Sequence, residues 1–402
     1  MKWGRRWAYG LLLLVIIVIG GALAIKQHLD AQNARQAEIN RSEGNRPSSQ
    51  KNASRSKNKP KETVKFQAKG SGDHADAQTN DITMYLKKNH FVGSALIIKN
   101  DRFLYRRAFG YANYADRIKN RTNSEFQILS IQKSLTAACI MKLVQERKLS
   151  LKTPLAHFYP TISNATHIRI RNMLDMDSGL SMKEVGSARL LNEKQVVAFA
   201  VKHLSSKKSE FDKWQYQPVN YVLLSGIISR LTGETYKKYF EQTFIKPMNL
   251  KGTGFVQDQP LTLYKTTGYR YQKANQFSQN YRRPFNETQA SMNNELGTGQ
   301  VYMTAFELFK AEHRLLQGKV ISLANVRILH TPGSSSTYGG GVYNQTNGIR
   351  SHGIGYGYES SILESRDGKN GVVLLSNNYR PAASIQNLSV QLFNRVMNGK
   401  LN

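Results

Sequence analysis

A single cysteine, Cys139, is all that the 402 residues contain. That excludes an intrachain disulfide framework and a cysteine-built zinc site. Its apolar surroundings, ACIMKLV, mark it as a small buried hydrophobe. Acidic residues are scarce as well: 27 Asp and Glu face 57 Lys and Arg, a formal net charge of +30. Such an imbalance points to a polyanionic partner, whether nucleic acid, an anionic membrane or another polymer, and does not choose among them. His313 and His330 lack partners at ligand spacing, so no metal site is expected, and no cofactor. Gly339-Gly340-Gly341-Val342 is not followed by GK[ST], so it reads as a turn before a strand and not as a phosphate loop. No internal repeat is evident. With 40% hydrophobic and 10% aromatic residues the chain can still build a core, which excludes wholesale disorder.

Long apolar runs are confined to residues 7–25, WAYGLLLLVIIVIGGALAI. As a helix this stretch is about 28 Å long, close to the thickness of a bilayer's hydrocarbon. Lys2, Arg5 and Arg6 precede it, which makes residues 1–6 a cytoplasmic tip. The expectation is a single-pass anchor in the cell membrane, with the catalytic domain outside. Ala22-Leu23-Ala24 also fits the cleavage site of a signal peptide, but the run exceeds an ordinary signal core. Both readings export the domain, which argues against nucleic acid as a partner. Residues 26–80, rich in Asn, Ser, Lys, Gln and Arg, read as a flexible basic linker. Residues 1–80 carry a net +8, leaving +22 on residues 81–402, so a basic tail does not account for the charge.

From Asp81 the texture changes. FVGSALII (91–98) and FLYRRAF (103–109) are strand-forming runs separated by KNDR, a hairpin signal. SLTAACIMKLVQERKL (134–149) and NYVLLSGIISRLTG (220–233) have helical spacing, the second stopped by glycine. GVVLLSNN (371–378) reads as a strand and SIQNLSVQLFNRVM (384–397) as a terminal amphipathic helix. Strands at both chain ends around a long helical middle predict an α+β domain, an antiparallel sheet built from both ends with a large all-helical region between.

The sharpest local feature is Ser130-Ile-Gln-Lys133 at the start of a helix, a spacing that puts both side chains on one face. A serine hydroxyl is a weak nucleophile until a neighbour takes its proton, and a lysine held close and partly desolvated can be that neighbour. The helix start adds N–H groups suited to an oxyanion. Ser-x-x-Lys alone is a weak signal, because both residues are common.

Its context is specific. FQILSIQKSLTA (126–137), the hairpin ending FGYANY, IRIRNMLDMDSGL (168–180), YQPVNYVLLSGIISRLTGETY (216–236), FIKPMNLKGTGF and HGIGYGYESSIL follow in order. Together they resemble the serine β-lactamase and penicillin-binding-protein superfamily, class C β-lactamases in particular, over residues 85–400. The resemblance implies that Ser130 is the nucleophile, with Lys133 and Tyr216 handling its proton. Two motifs depart from the family pattern. The usual Tyr-x-Asn is Tyr216-Gln217-Pro218 here, and proline cannot supply the asparagine's substrate-binding amide; Gln217 is the remaining candidate for substrate contact. The usual Lys-Thr-Gly or His-x-Gly falls in Ser351-His352-Gly353-Ile354-Gly355, with the spacing to GYESS one residue short. His352 is a candidate for proton transfer, and Gly353, Ile354 and Gly355 for backbone contacts that complete an oxyanion hole. Arg350, two residues earlier, shares His352's face of a strand and is a candidate phosphate contact. Read structurally, Tyr216 is a core tyrosine, His352 a strand-edge histidine and Arg350 a solvated cation. Asp175 and Asp177 look structural.

An exported basic domain of this kind is similar to membrane-anchored teichoic-acid D-alanine esterases of Gram-positive bacteria. Lipoteichoic or wall teichoic acid is then the expected substrate, and the membrane, through the N-terminal helix, the other partner. An ester needs less leaving-group help than an amide, so losing one substrate-orienting amide is tolerated there first. The rival expectations are a D-Ala-D-Ala carboxypeptidase or other peptidoglycan hydrolase, a β-lactamase-related penicillin-binding protein, and a non-catalytic teichoic-acid-binding protein.

Overall fold

The computed structural model describes residues 80–400, apart from 184–185, 259–263 and 274–275. The elements that position the site are few. Helix α1 (Asn80–Lys88) leads into strands β1 (Gly93–Lys99) and β2 (Arg102–Phe109). After them come helices α2 (Gln132–Gln145), α3 (Val219–Thr232) and α4 (Ala305–Leu316). Five more strands follow: β3 (Tyr338–Gly339), β4 (Val342–Gln345), β5 (Gly348–Gly355), β6 (Tyr358–Ser365) and β7 (Gly371–Ser376). Helix α5 (Ile385–Met397) closes the domain.

The seven strands form one sheet in the order β3-β4-β5-β6-β7-β1-β2, antiparallel throughout. Both chain ends contribute to it, as the sequence predicts. Strand β1 shows why. Ala95 and Ile97 point to one face, Leu96 and Ile98 to the other. The first pair packs with Ile82 and Leu86 of α1 and Leu392 and Phe393 of α5. The second pair joins a larger core with Leu135 of α2 and Leu308 and Phe309 of α4. A strand buried on both sides has no polar alternation, which is why SALII is a continuous apolar run. Its partner β7 matches it, with Leu96 opposite Val373 and Ile97 opposite Val372.

The middle of the chain is mainly helical but not wholly so. Ser178–Ser181 pairs with Ser205–Phe211, and Val301–Met303 lies between Phe126–Gln127 and Gly254–Phe255. The first of these was hidden because SSKKSEF is polar and largely exposed, and carries no apolar run to betray a strand.

The expected location, a single-pass protein of the cell membrane with its catalytic domain outside, is corrected here. Among the described residues no helix is long and apolar enough to cross a membrane. Helices α2 and α3, of 14 residues each, reach only about 21 Å, short of a ~30 Å hydrocarbon layer. The tip, anchor and linker expected over residues 1–79 lie outside the described residues.

Candidate active site

The Ser130 turn is built by a strand that stops abruptly. Phe126 pairs with Met303, and Ile128 N–H donates to the Val301 carbonyl at 2.9 Å. Leu129 then takes φ +52°, a left-handed conformation that costs a side-chain-bearing residue about 1–2 kcal/mol. Packing enforces it: Leu129 is buried, and the Ser360 hydroxyl of β6 donates to the Ile128 carbonyl at 2.6 Å. The reversal aims Ser130 outward on a short 3₁₀ turn that runs into α2.

One helical turn later Lys133 comes back beneath it. Lys133 is 1% exposed, and its Nζ donates to Ser130 Oγ at 2.8 Å and to the Thr298 carbonyl at 3.2 Å. The same ammonium sits 5.2 Å from the centre of the Tyr216 ring. Among the described residues no carboxylate pairs with it. Two oxygens and an aromatic face are its partners there, and an amine so held can trade a proton with the serine it touches.

Tyr216 presents its ring to Lys133; no hydrogen bond joins its hydroxyl to Lys133 or Ser130. Its ring packs edge-on against Tyr338 at 6.0 Å. Pro218 caps α3, where a missing N–H costs nothing. Asn220, two residues on, does not replace the absent asparagine: it is buried and spent on Ser178 Oγ and the Gln217 carbonyl. Gln217 accepts from Met182 N–H through Oε1 at 3.2 Å, which leaves its amide N–H groups uncommitted among the described residues.

Strand β5 separates the other expected residues. Ser351 lies opposite Ile362 and Gly353 opposite Ser360, on the face that meets the Ser130 turn. A Cβ on Gly353 would lie 2.6 Å from the Ile128 carbonyl oxygen, and one on Gly355 3.0 Å from Leu129. Only glycine at 353 lets the strand come this close. Strand β4 covers β5 only as far as Arg350, so Ser351 to Gly355, Ile354 among them, has an edge without a strand partner.

His352 and Arg350 are on the other face. His352 lies opposite Ser361, whose hydroxyl meets Ser389 of α5, and Arg350 lies opposite Leu363. The His352 Nε2 contacts Glu359 Oε1 at 2.8 Å, and that buried carboxylate also accepts from the Ser384 hydroxyl and from Ile385 N–H, capping α5. The imidazole is therefore tied to a helix cap and turned away from Ser130. The Arg350 guanidinium stacks on Tyr343 at 4.7 Å, and the Tyr343 ring meets Tyr338. Expecting His352 to reach the serine assumed the other parity, while Arg350 lies at the end of a chain of rings that runs through Tyr343 and Tyr338 to Tyr216. The motif registers as Ser351-His352-Gly353 against Lys-Thr-Gly, with an uncharged residue in the first, site-facing position.

Sequence reading missed the segment that closes the site from the opposite side. Thr298 holds Lys133 through its carbonyl, and its hydroxyl donates to Glu295 Oε2 at 3.0 Å. Tyr356 donates to Glu295 Oε1 at 3.0 Å. The missing residue before GYESS explains Tyr356: Gly355 pairs with Tyr358, leaving a two-residue turn in which Tyr356 and Gly357 both have positive φ, 50° and 82°. Gly341, in the turn before β4, also approaches α2; a Cβ there would lie 2.4 Å from Ser134 N. Asp175 is structural, as expected: it pairs with Arg171 at 2.6 Å, and burial pushes its carboxyl up to about 7. Cys139 is fully buried, which pushes its thiol up to about 12.

A two-faced antiparallel sheet with a Ser-x-x-Lys turn clasped between a helix start and a strand edge defines a serine hydrolase of the β-lactamase and penicillin-binding-protein type. The chain belongs to the Beta-lactamase family, which it matches over residues 79–390. It is 28% identical over 358 residues to PbpX of Bacillus subtilis (strain 168), a protein named for the penicillin-binding proteins; the match covers 88% of this chain and 89% of that protein. It is 27% identical over 247 residues to the teichoic acid D-alanine hydrolase of Staphylococcus aureus, covering 61% of this chain and 60% of that one. Among solved structures, FmtA from Staphylococcus aureus superposes with a TM-score of 0.70 at 23% identity, over 81% of this chain and 90% of that one. D-amino acid amidase from Ochrobactrum anthropi superposes with a TM-score of 0.68 at 19% identity, over 81% and 100%.

Proposed function

We propose that residues 81–402 form a serine esterase that releases D-alanine from teichoic acid. The observation that carries it is the 2.8 Å contact between Lys133 Nζ and Ser130 Oγ in a site without the family's asparagine. The likeness to a teichoic acid D-alanine hydrolase supports the substrate. In this reading Lys133 Nζ takes the proton of Ser130 as Oγ attacks the ester carbonyl. Backbone N–H groups at Ser130 and on the open edge of β5 hold the oxyanion. The ester C–O bond breaks, the polymer hydroxyl leaves with the proton from Lys133, and D-alanine remains on Ser130. Water then enters and gives a proton to Lys133 as its oxygen bonds the acyl carbon; the bond from that carbon to Ser130 Oγ breaks, Oγ takes the proton back from Lys133, and D-alanine is released. Tyr216 keeps the lysine in place through its ring and takes part in proton transfer only after its hydroxyl turns towards the leaving oxygen.

Basic charge of +22 on residues 81–402 suits a phosphate polymer, and Pro218 suits an ester. The test incubates the full-length protein with D-alanylated lipoteichoic acid and, separately, with a D-Ala-D-Ala peptide. Free D-alanine should come from the first far faster, and Ser130→Ala should lower the rate by at least about 10³-fold. Efficient peptide cleavage instead would establish a carboxypeptidase, a reading that the likeness to PbpX keeps in view.

A further inference from the structure

A D-alanyl ester differs from the acyl group of a D-Ala-D-Ala peptide in one respect: its α-nitrogen is a free ammonium. That ammonium is one carbon from the carbonyl under attack, so a carboxylate that reads it must lie within about 6 Å of the nucleophile's turn. Glu295 meets this condition. A Cβ on Gly299 would stand 2.8 Å from Glu295 Oε2 and 3.4 Å from Leu129 Cα, so the carboxylate and the residue before Ser130 flank the same small space. Glycine leaves that space open.

The electrostatics of Glu295 are unusual in so basic a chain. Its two oxygens accept from hydroxyls, Thr298 Oγ1 and Tyr356 Oη, and no cation among the described residues forms an ion pair with it. Each oxygen keeps acceptor capacity for a further donor. Glu287 is close enough to feel the charges of Glu295 and of Lys265, and its buried Oε1 has no partner among the described residues. Burial and the neighbouring charge of Glu295 push the Glu287 carboxyl up to about 8, against the opposing pull of Gln127 and Lys265. Lys133, the cation nearest the serine, is directed to Ser130 and the Thr298 carbonyl.

We infer that Glu295 is a specificity-determining residue that binds the α-ammonium of the D-alanyl ester, with Tyr356 and Thr298 fixing the carboxylate. The inference rests on the esterase reading and refines it: phosphate is read by the basic surface, the amine by this acid. Tyr356 owes its position to the shortened β5–β6 turn, which links a departure from the family pattern to the choice of acyl group.

The test compares hydrolysis of D-alanyl-glycerol with that of its N-acetyl derivative, using the full-length protein and its Glu295→Gln and Tyr356→Phe variants, with a D-Ala-D-Ala peptide in parallel. The wild type should prefer the free amine. Glu295→Gln should lower kcat/KM for D-alanyl-glycerol about 30-fold, within the range of a lost charge-assisted hydrogen bond, and change the N-acetyl ester less than about threefold. Tyr356→Phe should show the same selectivity at smaller size, and Glu295→Asp should recover part of the loss. Labelling of Ser130 by a fluorophosphonate at the wild-type rate in Glu295→Gln confirms an intact nucleophile. Equal losses on both esters would overturn the inference and make Glu295 a support for the Thr298 turn, with the esterase reading intact. Cleavage of the peptide alone by the wild type would overturn both.

Discussion

The two faces of β5 are built for different work. Towards Ser130 the strand shows Ser351, Gly353 and Gly355, residues small enough for Ile128 and Leu129 to come into contact. On the alternate positions it carries Arg350 and His352, large polar residues held by Tyr343 and by the Glu359–Ser384 cap of α5 respectively. One face is emptied so that the Ser130 turn can come against a backbone edge. The other is filled so that the edge does not move. A strand's period of two assigns these tasks to alternate residues, so neighbours in sequence have unrelated roles.

The comparison breaks most decisively at Gly353. Gly353→Val would drive a side chain into the Ile128 carbonyl, and a fluorophosphonate should then label Ser130 at least about 100-fold more slowly. If labelling stays near the wild-type rate, the glycine-lined approach is not what aligns the serine. His352→Ala tests the opposite face. Glu359 would lose its imidazole partner in a buried setting, at a cost of about 1–3 kcal/mol, seen as a fall in Tm of several degrees. Labelling of Ser130 should change less than about threefold. A large loss of acylation with an unchanged Tm would return His352 to the chemistry.

A pH series separates the site face from the core beneath it. Among the described residues Glu312 and Glu364 are buried without an ion pair, and Glu312 accepts from Ser134 of α2 at 3.0 Å. Burial raises both carboxyls, Glu312 to about 8. A group whose folded value lies above its unfolded ~4.3 gives its full stability below that unfolded value and loses it as pH rises towards the folded one. Tm should therefore drop between pH 5 and pH 8, and Glu312→Gln should flatten the drop. An identical slope in the variant would mean that other groups govern it. The smallest effect belongs to Arg350. Arg350→Ala should leave a small uncharged ester almost untouched, within about twofold, and weaken binding of D-alanylated polymer modestly and only at low salt. A loss on the small ester would show that Tyr343 transmits the arginine's position to Tyr216.

Local physics made much of this molecule legible before any coordinates. The apolar run of β1, the hairpin with β2, the spacing of α2 and α3 and the terminal amphipathic helix are short-range patterns, and the structure has each within a few residues of its expected bounds. Ser130 and Lys133 were readable for the same reason: three residues on one helix meet wherever that helix goes. What lay beyond the sequence depended on parity and on contacts between distant segments. The side of β5 that meets Ser130 is settled by its pairing with β6 and by the Ile128–Ser360 bond, so a glycine-rich stretch with a histidine can be counted one residue off. Thr298 and Glu295, more than 160 residues from Ser130, join it only because the strand at Val301–Met303 pairs beside Phe126. Hydrogen-bonded registry across the sheet, which no local pattern encodes, decides which distant side chains meet Ser130.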